Sequence, residues 1–181
     1  MASFQSWLSI DPFTWSAVGT CIVCGGVVGL ERQLRGKPVG ILTATLIVLG
    51  TYIFLTVTTT YFGDSGDPTR IIGQIVTGIG FLGAGVMLSK DGVILGVTSA
   101  ATIWVLAAIG VIIPVAGNLP AIKMALLVLL ILVVVNRLEA ASSALTRGVH
   151  TSYSAWRSGD QRPGWFKRRF SDRDSINRLS E

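Results

Sequence analysis

The sequence predicts an all-α membrane protein with about five transmembrane helices. Three observations predict it. Apolar residues come in blocks of nearly bilayer length, the first two-thirds of the chain carries almost no charge, and basic residues gather on one side of the implied membrane. Half of the 181 residues are hydrophobic and the mean hydropathy is +0.62. Only 14% are charged, whereas a soluble domain averages about a quarter.

A helix needs about 20 apolar residues to cross a hydrocarbon core of ~30 Å. Five stretches meet or approach that length, at residues 13–30, 39–61, 71–88, 97–115 and 121–138. The fifth is the shortest and holds Lys123 near its outer end, where the amine can extend to the interface. Turn-forming strings separate the blocks: ERQLRGKPVG, YFGDSGDPTR, SKDG and AGNLP. Asp67-Pro68 is a good helix start, with Asp as N-cap and Pro at the first helical position. Thr98 and Ser99 are read as caps for the fourth span. Residues 1–138 thus form a transmembrane domain and residues 139–181 a basic tail. Residues 1–12 hold no Lys or Arg and no small-residue cleavage pattern follows them, so the first block is read as staying in the membrane.

Orientation follows from Lys and Arg placement. With the 31–38 loop cytoplasmic, thirteen basic residues face the cytoplasm and two, Arg70 and Lys123, face outward. That puts the N-terminus outside and the C-terminus inside. Trp7 and Trp15 then fit an outer aromatic belt. In the tail, Trp165, Phe166 and Phe170 interleave with Lys167, Arg168 and Arg169. Two readings stand side by side: a solubilising tail that obeys the positive-inside rule, and a segment lying on an anionic lipid surface. Nucleic acid is not an expected partner, because the segment shows no folded binding module.

The third span, RIIGQIVTGIGFLGAGVML, carries the most information. At 100° per residue, Gly73, Thr77, Gly80 and Ala84 lie within about 60° of one another. Gln74, Gly78 and Gly85 form a second small or polar stripe, and Ile72, Ile75, Val76, Ile79, Leu82 and Val86 occupy the other side. Small faces let membrane helices approach closely. The bulky side therefore reads as lipid-facing and the helix as central, packing against two neighbours or a second copy. Gly25 and Gly29 make a similar face on the first span. The G-x-G-x-x-G formed by Gly78, Gly80 and Gly83 lies inside an apolar span and lacks the preceding strand of a dinucleotide site. Cys21 and Cys24 read as small hydrophobes, since zinc wants four ligands and the single histidine, His150, is in the tail.

No Asp, Glu, Lys, Arg or His stands in the middle of any span. Proton- and ion-coupled transporters usually carry such a residue, and magnesium favours carboxylates plus retained waters. The interior offers Gln74, Thr43, Thr45, Thr77, Thr98, Ser99 and Thr102. Candidate binding residues are Glu31 and Arg32 at one membrane edge, Asp67 and Arg70 at the other, and Gln74, Thr77 and Thr102 within the spans. Each has a plainer reading. Glu31–Arg32 makes a helix-end anchor with a local ion pair, Asp67 an N-cap, and Gln74 a hydrogen bond to a neighbouring helix. No nucleophile–base set or metal cluster is visible, so the chain is not read as an enzyme, and no cofactor is expected.

Three strings, GLERQLRGKPVGILT, DPTRIIGQIVTGIGFLGAGVML and GVTSAATIWVLAAIGV, resemble the MgtC/SapB family of bacterial membrane proteins over roughly residues 19–138. The resemblance implies a five-helix inner-membrane unit with a role in magnesium-limited growth and, in pathogens, in survival inside host phagocytes. It implies either a regulator of other membrane proteins, such as the F-type ATP synthase, or a transporter or channel for magnesium or another cation. Magnesium would then be a ligand or substrate. By motif, Glu31, Arg32, Gln33, Asp67, Arg70, Gln74, Gly78, Gly80, Gly83, Gly85, Thr102 and Trp104 carry over. The chain departs from the family at Gly40-Ile41-Leu42-Thr43 and at Leu95-Gly96-Val97, where relatives usually carry an arginine. A basic tail stands where many members have a soluble C-terminal domain. A homo-oligomer formed through the third span is expected, with a further membrane-protein partner under the regulator reading.

Overall fold

The computed structural model describes residues 9–62, 67–90 and 93–141. Most of the basic tail lies outside these residues, as do Asp64 and residues 91–92. Five helices follow one another: α1 (Trp15–Leu34), α2 (Ile41–Tyr61), α3 (Pro68–Gly85), α4 (Val97–Ala116) and α5 (Asn118–Ala141). Between α3 and α4 lies a short antiparallel hairpin, β1 (Leu88–Lys90) and β2 (Val93–Leu95), which pairs Leu88 with Leu95, Ser89 with Ile94 and Lys90 with Val93. The expected plain turn at 89–95 is thus a closed two-stranded ribbon.

The chain is an all-helical membrane protein apart from this ribbon. Four helices, α1, α2, α4 and α5, are long and apolar enough to cross a membrane. The 18 residues of α3 extend about 27 Å at 1.5 Å each, but Arg70, Gln74 and the glycines dilute its apolar content.

Local chemistry sets the ends. Thr14 caps α1, its hydroxyl accepting from the Ala17 amide at 3.3 Å. The Thr14 amide donates to the Tyr52 hydroxyl at 3.3 Å, and Phe13 meets the Tyr52 ring edge-on at 5.9 Å, pinning the start of α1 to the second half of α2. Between α1 and α2 the chain turns at Gly36, and the Gln33 side chain reaches forward to accept from the Ile41 amide at 3.2 Å. Val39, buried in this turn, adopts φ 72°, a conformation a β-branched residue rarely takes. Asp67 caps α3, as its sequence context suggests. The expected caps of α4, Thr98 and Ser99, lie inside the helix instead. The N-cap is Gly96 at φ 92°, where a Cβ would stand 2.4 Å from the Val86 carbonyl oxygen, so only glycine fits.

The packed unit runs to Val134, and the described residues beyond it, 135–141, end α5. The unit's core joins one stripe from each of α1, α2 and α4. Cys21, Cys24, Val28, Val48, Tyr52, Leu106 and Ile109 are among its buried residues. Two glycine crossings bring backbones together. A Cβ on Gly25 would lie 2.4 Å from Thr45 Cα, and one on Gly29 2.7 Å from Ile41 Cα. A Cβ on Gly110 of α4 would lie 2.6 Å from the Val48 carbonyl oxygen of α2. α5 touches the core through Ala121 and Ala125 and exposes Leu126, Leu127, Leu130 and Ile131.

This arrangement corrects the expectation that the third helix is central. Within one chain the hub is α2, which packs on both α1 and α4, while α3 lies at the edge against α4 and α2. The facing of α3 also differs in part: Val76 and Leu82 of the bulky side are exposed as expected, but other bulky residues are not. Ile75, Ile79 and Val86 turn toward the core, and Gly83 meets the Ala100 methyl at 3.6 Å. Gly73, Thr77, Gly80, Ala84 and Gly85 are exposed, and a Cβ on any of these glycines would meet nothing within 4 Å. The reason is that lipid is as apolar as an isoleucine side chain, so bulk alone does not say which side of a membrane helix faces lipid.

Candidate functional site

The predicted site residues fall in separate places. The first is the C-terminal end of α1. Helical spacing puts Glu31 and Arg35 on one face, four residues apart, and the turn after Leu34 folds the Lys37 amide back onto the Arg32 carbonyl at 3.0 Å. Both charged side chains of the Glu31–Arg32 pair are buried, at 7% and 2% exposure, with the Arg32 guanidinium 3.7 Å from the Glu31 carboxylate. Arg35 closes a second, tighter ion pair onto the same carboxylate through its Nε. Arg32 Nε has no hydrogen-bond partner among the described residues. The anchor read from the sequence is therefore a three-residue charged cluster, with Glu31 and Arg32 sunk into the bundle and Arg35 at its surface. Arg35 was missed, although its i+4 spacing from Glu31 was available.

The second place is α3. Asp67 accepts from the Thr69 amide at 2.9 Å and from the Thr69 hydroxyl at 2.6 Å. These hydrogen bonds, with Arg70 nearby, hold its carboxyl below the usual carboxylate range. Arg70 and Gln74 follow on one stripe. Thr77, seven residues on from Arg70 and exposed, donates to the Gly73 carbonyl at 2.9 Å. Thr102 is buried in α4, its hydroxyl donating to the Thr98 carbonyl at 2.8 Å. Neither threonine shares a lined space with Gln74.

What Gln74 does line is a groove of about 670 Å³ between α2 and α3. Thr43, Thr51 and Thr58 of α2 supply its remaining polar side chains; its other walls are leucine, isoleucine, phenylalanine and glycine. The signal for this face was the seven- and eight-residue recurrence of threonine along α2, close to two helical turns. The groove holds no charged residue, and among the described residues no group of three or more His, Cys, Asp or Glu stands together.

An all-helical bundle with an uncharged lateral groove and a buried ion-pair cluster at one end defines a multi-pass membrane protein. Residues 18–141 match the model of the MgtC family, so the chain belongs to that family. It is 46% identical over 99 residues to YhiD of Escherichia coli (strain K12), a protein whose name marks a proposed magnesium transporter; the match covers 51% of this chain and 46% of YhiD. It is 40% identical over 99 residues to Protein MgtC of Brucella abortus (strain 2308), covering 55% and 41%. It is 38% identical over 113 residues to Protein SapB of Bacillus subtilis (strain 168), covering 58% and 48%. The chain thus spans about half the length of the curated relatives it matches. No solved structure matches it.

Proposed function

We propose that this chain acts in a bacterial inner membrane as a regulator that docks other membrane proteins during adaptation to low magnesium, with the F-type ATP synthase as one target. The observation that carries this reading is the small-residue face of α3, which points away from its own bundle. Gly73 and Gly80 have open space where a side chain would stand, and Thr77 and Ala84 are exposed beside them. Faces of this kind pack closely against another membrane helix. A second copy of the chain is one partner for the face. In this reading the C-terminus and its basic tail lie in the cytoplasm, the tail against anionic lipid, and the chain catalyses no reaction.

The second reading is transport of magnesium or another cation, favoured by the name of the Escherichia coli relative and by the polar side chains of the groove. Magnesium binds carboxylates and keeps its waters, and the groove offers an amide and hydroxyls only. Uptake by the purified chain in liposomes separates the two readings. The regulator reading expects no flux above empty vesicles, together with crosslinks to a membrane protein from a photoreactive residue at Gly80. Robust magnesium flux abolished by Gln74→Leu would overturn it.

A further inference from the structure

Along α2 the groove runs from Leu42 to Thr58, about 24 Å at 1.5 Å per residue. That is most of a hydrocarbon core of ~30 Å. A groove of about 670 Å³ over that length is a long, thin slot. Its width is set by glycine on both walls: a Cβ on Gly50 or on Gly78 would meet nothing within 4 Å.

The chemistry at one end narrows the occupant. Gln74 makes no hydrogen bond to any described residue, and its amide stands in an otherwise apolar wall. Arg70, exposed, lies one turn toward the start of α3 on the same stripe as Gln74 and Gly78. Asp67 beside it is already engaged by Thr69. Exposed aromatics mark this level as an interface. Tyr61 and Phe62, both exposed, end α2 here. A guanidinium at the interface above a long apolar slot complements a phosphate on a hydrocarbon chain.

We propose that the α2–α3 groove binds a glycerophospholipid, with one acyl chain along Gly50 and Gly78, its phosphate against Arg70, and an ester carbonyl accepting from the Gln74 amide. This stands apart from the regulator reading, which concerns the opposite face of α3.

The test uses the full chain, reconstituted in phosphatidylethanolamine–phosphatidylglycerol vesicles, re-extracted in mild detergent and weighed by native mass spectrometry. The expected result is one phospholipid retained per chain. Gly50→Leu and Gly78→Leu should fill the slot and remove it. Gly73→Leu, on the far side of α3, should retain it. Arg70→Gln should weaken phospholipid retention by about tenfold, the size of one charge-assisted contact, and let added diacylglycerol compete equally. Circular dichroism should show unchanged helicity in all four variants. Retention in both Gly50→Leu and Gly78→Leu equal to that of the parent chain would overturn the proposal. So would a lipid-free dimer, or photocrosslinks from position 78 to protein instead of lipid.

Discussion

At the scale of single residues, the Glu31–Arg32–Arg35 cluster shows what a sequence hides. The pair of charges after an apolar block was legible, and so was an ion pair between them. Burial was not, because it depends on how the bundle closes around the end of α1. Breaking a buried pair by removing one partner strands the other charge, at about 3–5 kcal/mol. Glu31→Ala should therefore cost about 3 kcal/mol, measured by thermal unfolding in detergent. Arg35 is 34% exposed, and Arg35→Ala should cost no more than about 1 kcal/mol. Glycines divide the same way. Gly25→Ala drives a methyl into the backbone of Thr45 and should destabilise by about 1–3 kcal/mol. Gly78→Ala meets open space and should leave stability unchanged or raise it by up to about 1 kcal/mol, through helix propensity. Asp67 makes a prediction in pH. Its carboxyl is held down in the folded chain, so its contribution is present above the ordinary carboxylate range and is lost as pH falls through the lowered value. Asp67→Asn, which can still cap, should flatten that acid-side loss in a thermal-unfolding series from neutral to acid pH.

At the scale of elements, block length and turn chemistry foretold all five helices to within a few residues at each end. The hairpin after α3 was not legible, since S-K-D-G reads equally as a plain turn and as a ribbon tip. Nor was the cap of α4. Gly96 takes that position because the Val86 carbonyl closes over it, a contact between residues ten apart. The faces of α3 were legible as faces, one smooth and one bulky; their direction was not. The exposed smooth face makes a definite prediction. Gly80→Leu should leave the fold intact, because its Cβ finds no neighbour. It should abolish any assembly formed through α3, measured by light scattering of the detergent-solubilised protein. An unchanged assembly would remove α3 from the interface.

At the scale of the whole molecule, the order of helices in the chain is not their order of importance. α2 is the hub because glycine crossings hold it on two sides, Gly25 and Gly29 from α1 and Gly110 from α4. Only the first pair stood out in the sequence; Gly110 sat in an apolar run with no partner to give it meaning. Orientation is a property of the molecule in its membrane, and the bias of thirteen basic residues against two predicts it. Cysteines placed at Lys37 and at Arg70, in a chain freed of the buried Cys21 and Cys24, should label from opposite sides, with position 37 cytoplasmic. Labelling of both from one side would remove the five-span topology.

The sequence by itself determined that this is a helical membrane protein, where its helices start and stop, and which family motifs it carries. Each of those rests on local quantities: apolar length, turn residues, caps and charge count. Only the tertiary structure decided that α3 sits at the edge with most of its glycines outward, that Glu31 and Arg32 are buried, and that Gln74 faces the threonines of α2 across a groove. These depend on how helices rotate against one another. In lipid that rotation is governed by close packing, because hydrophobicity is the same on every side.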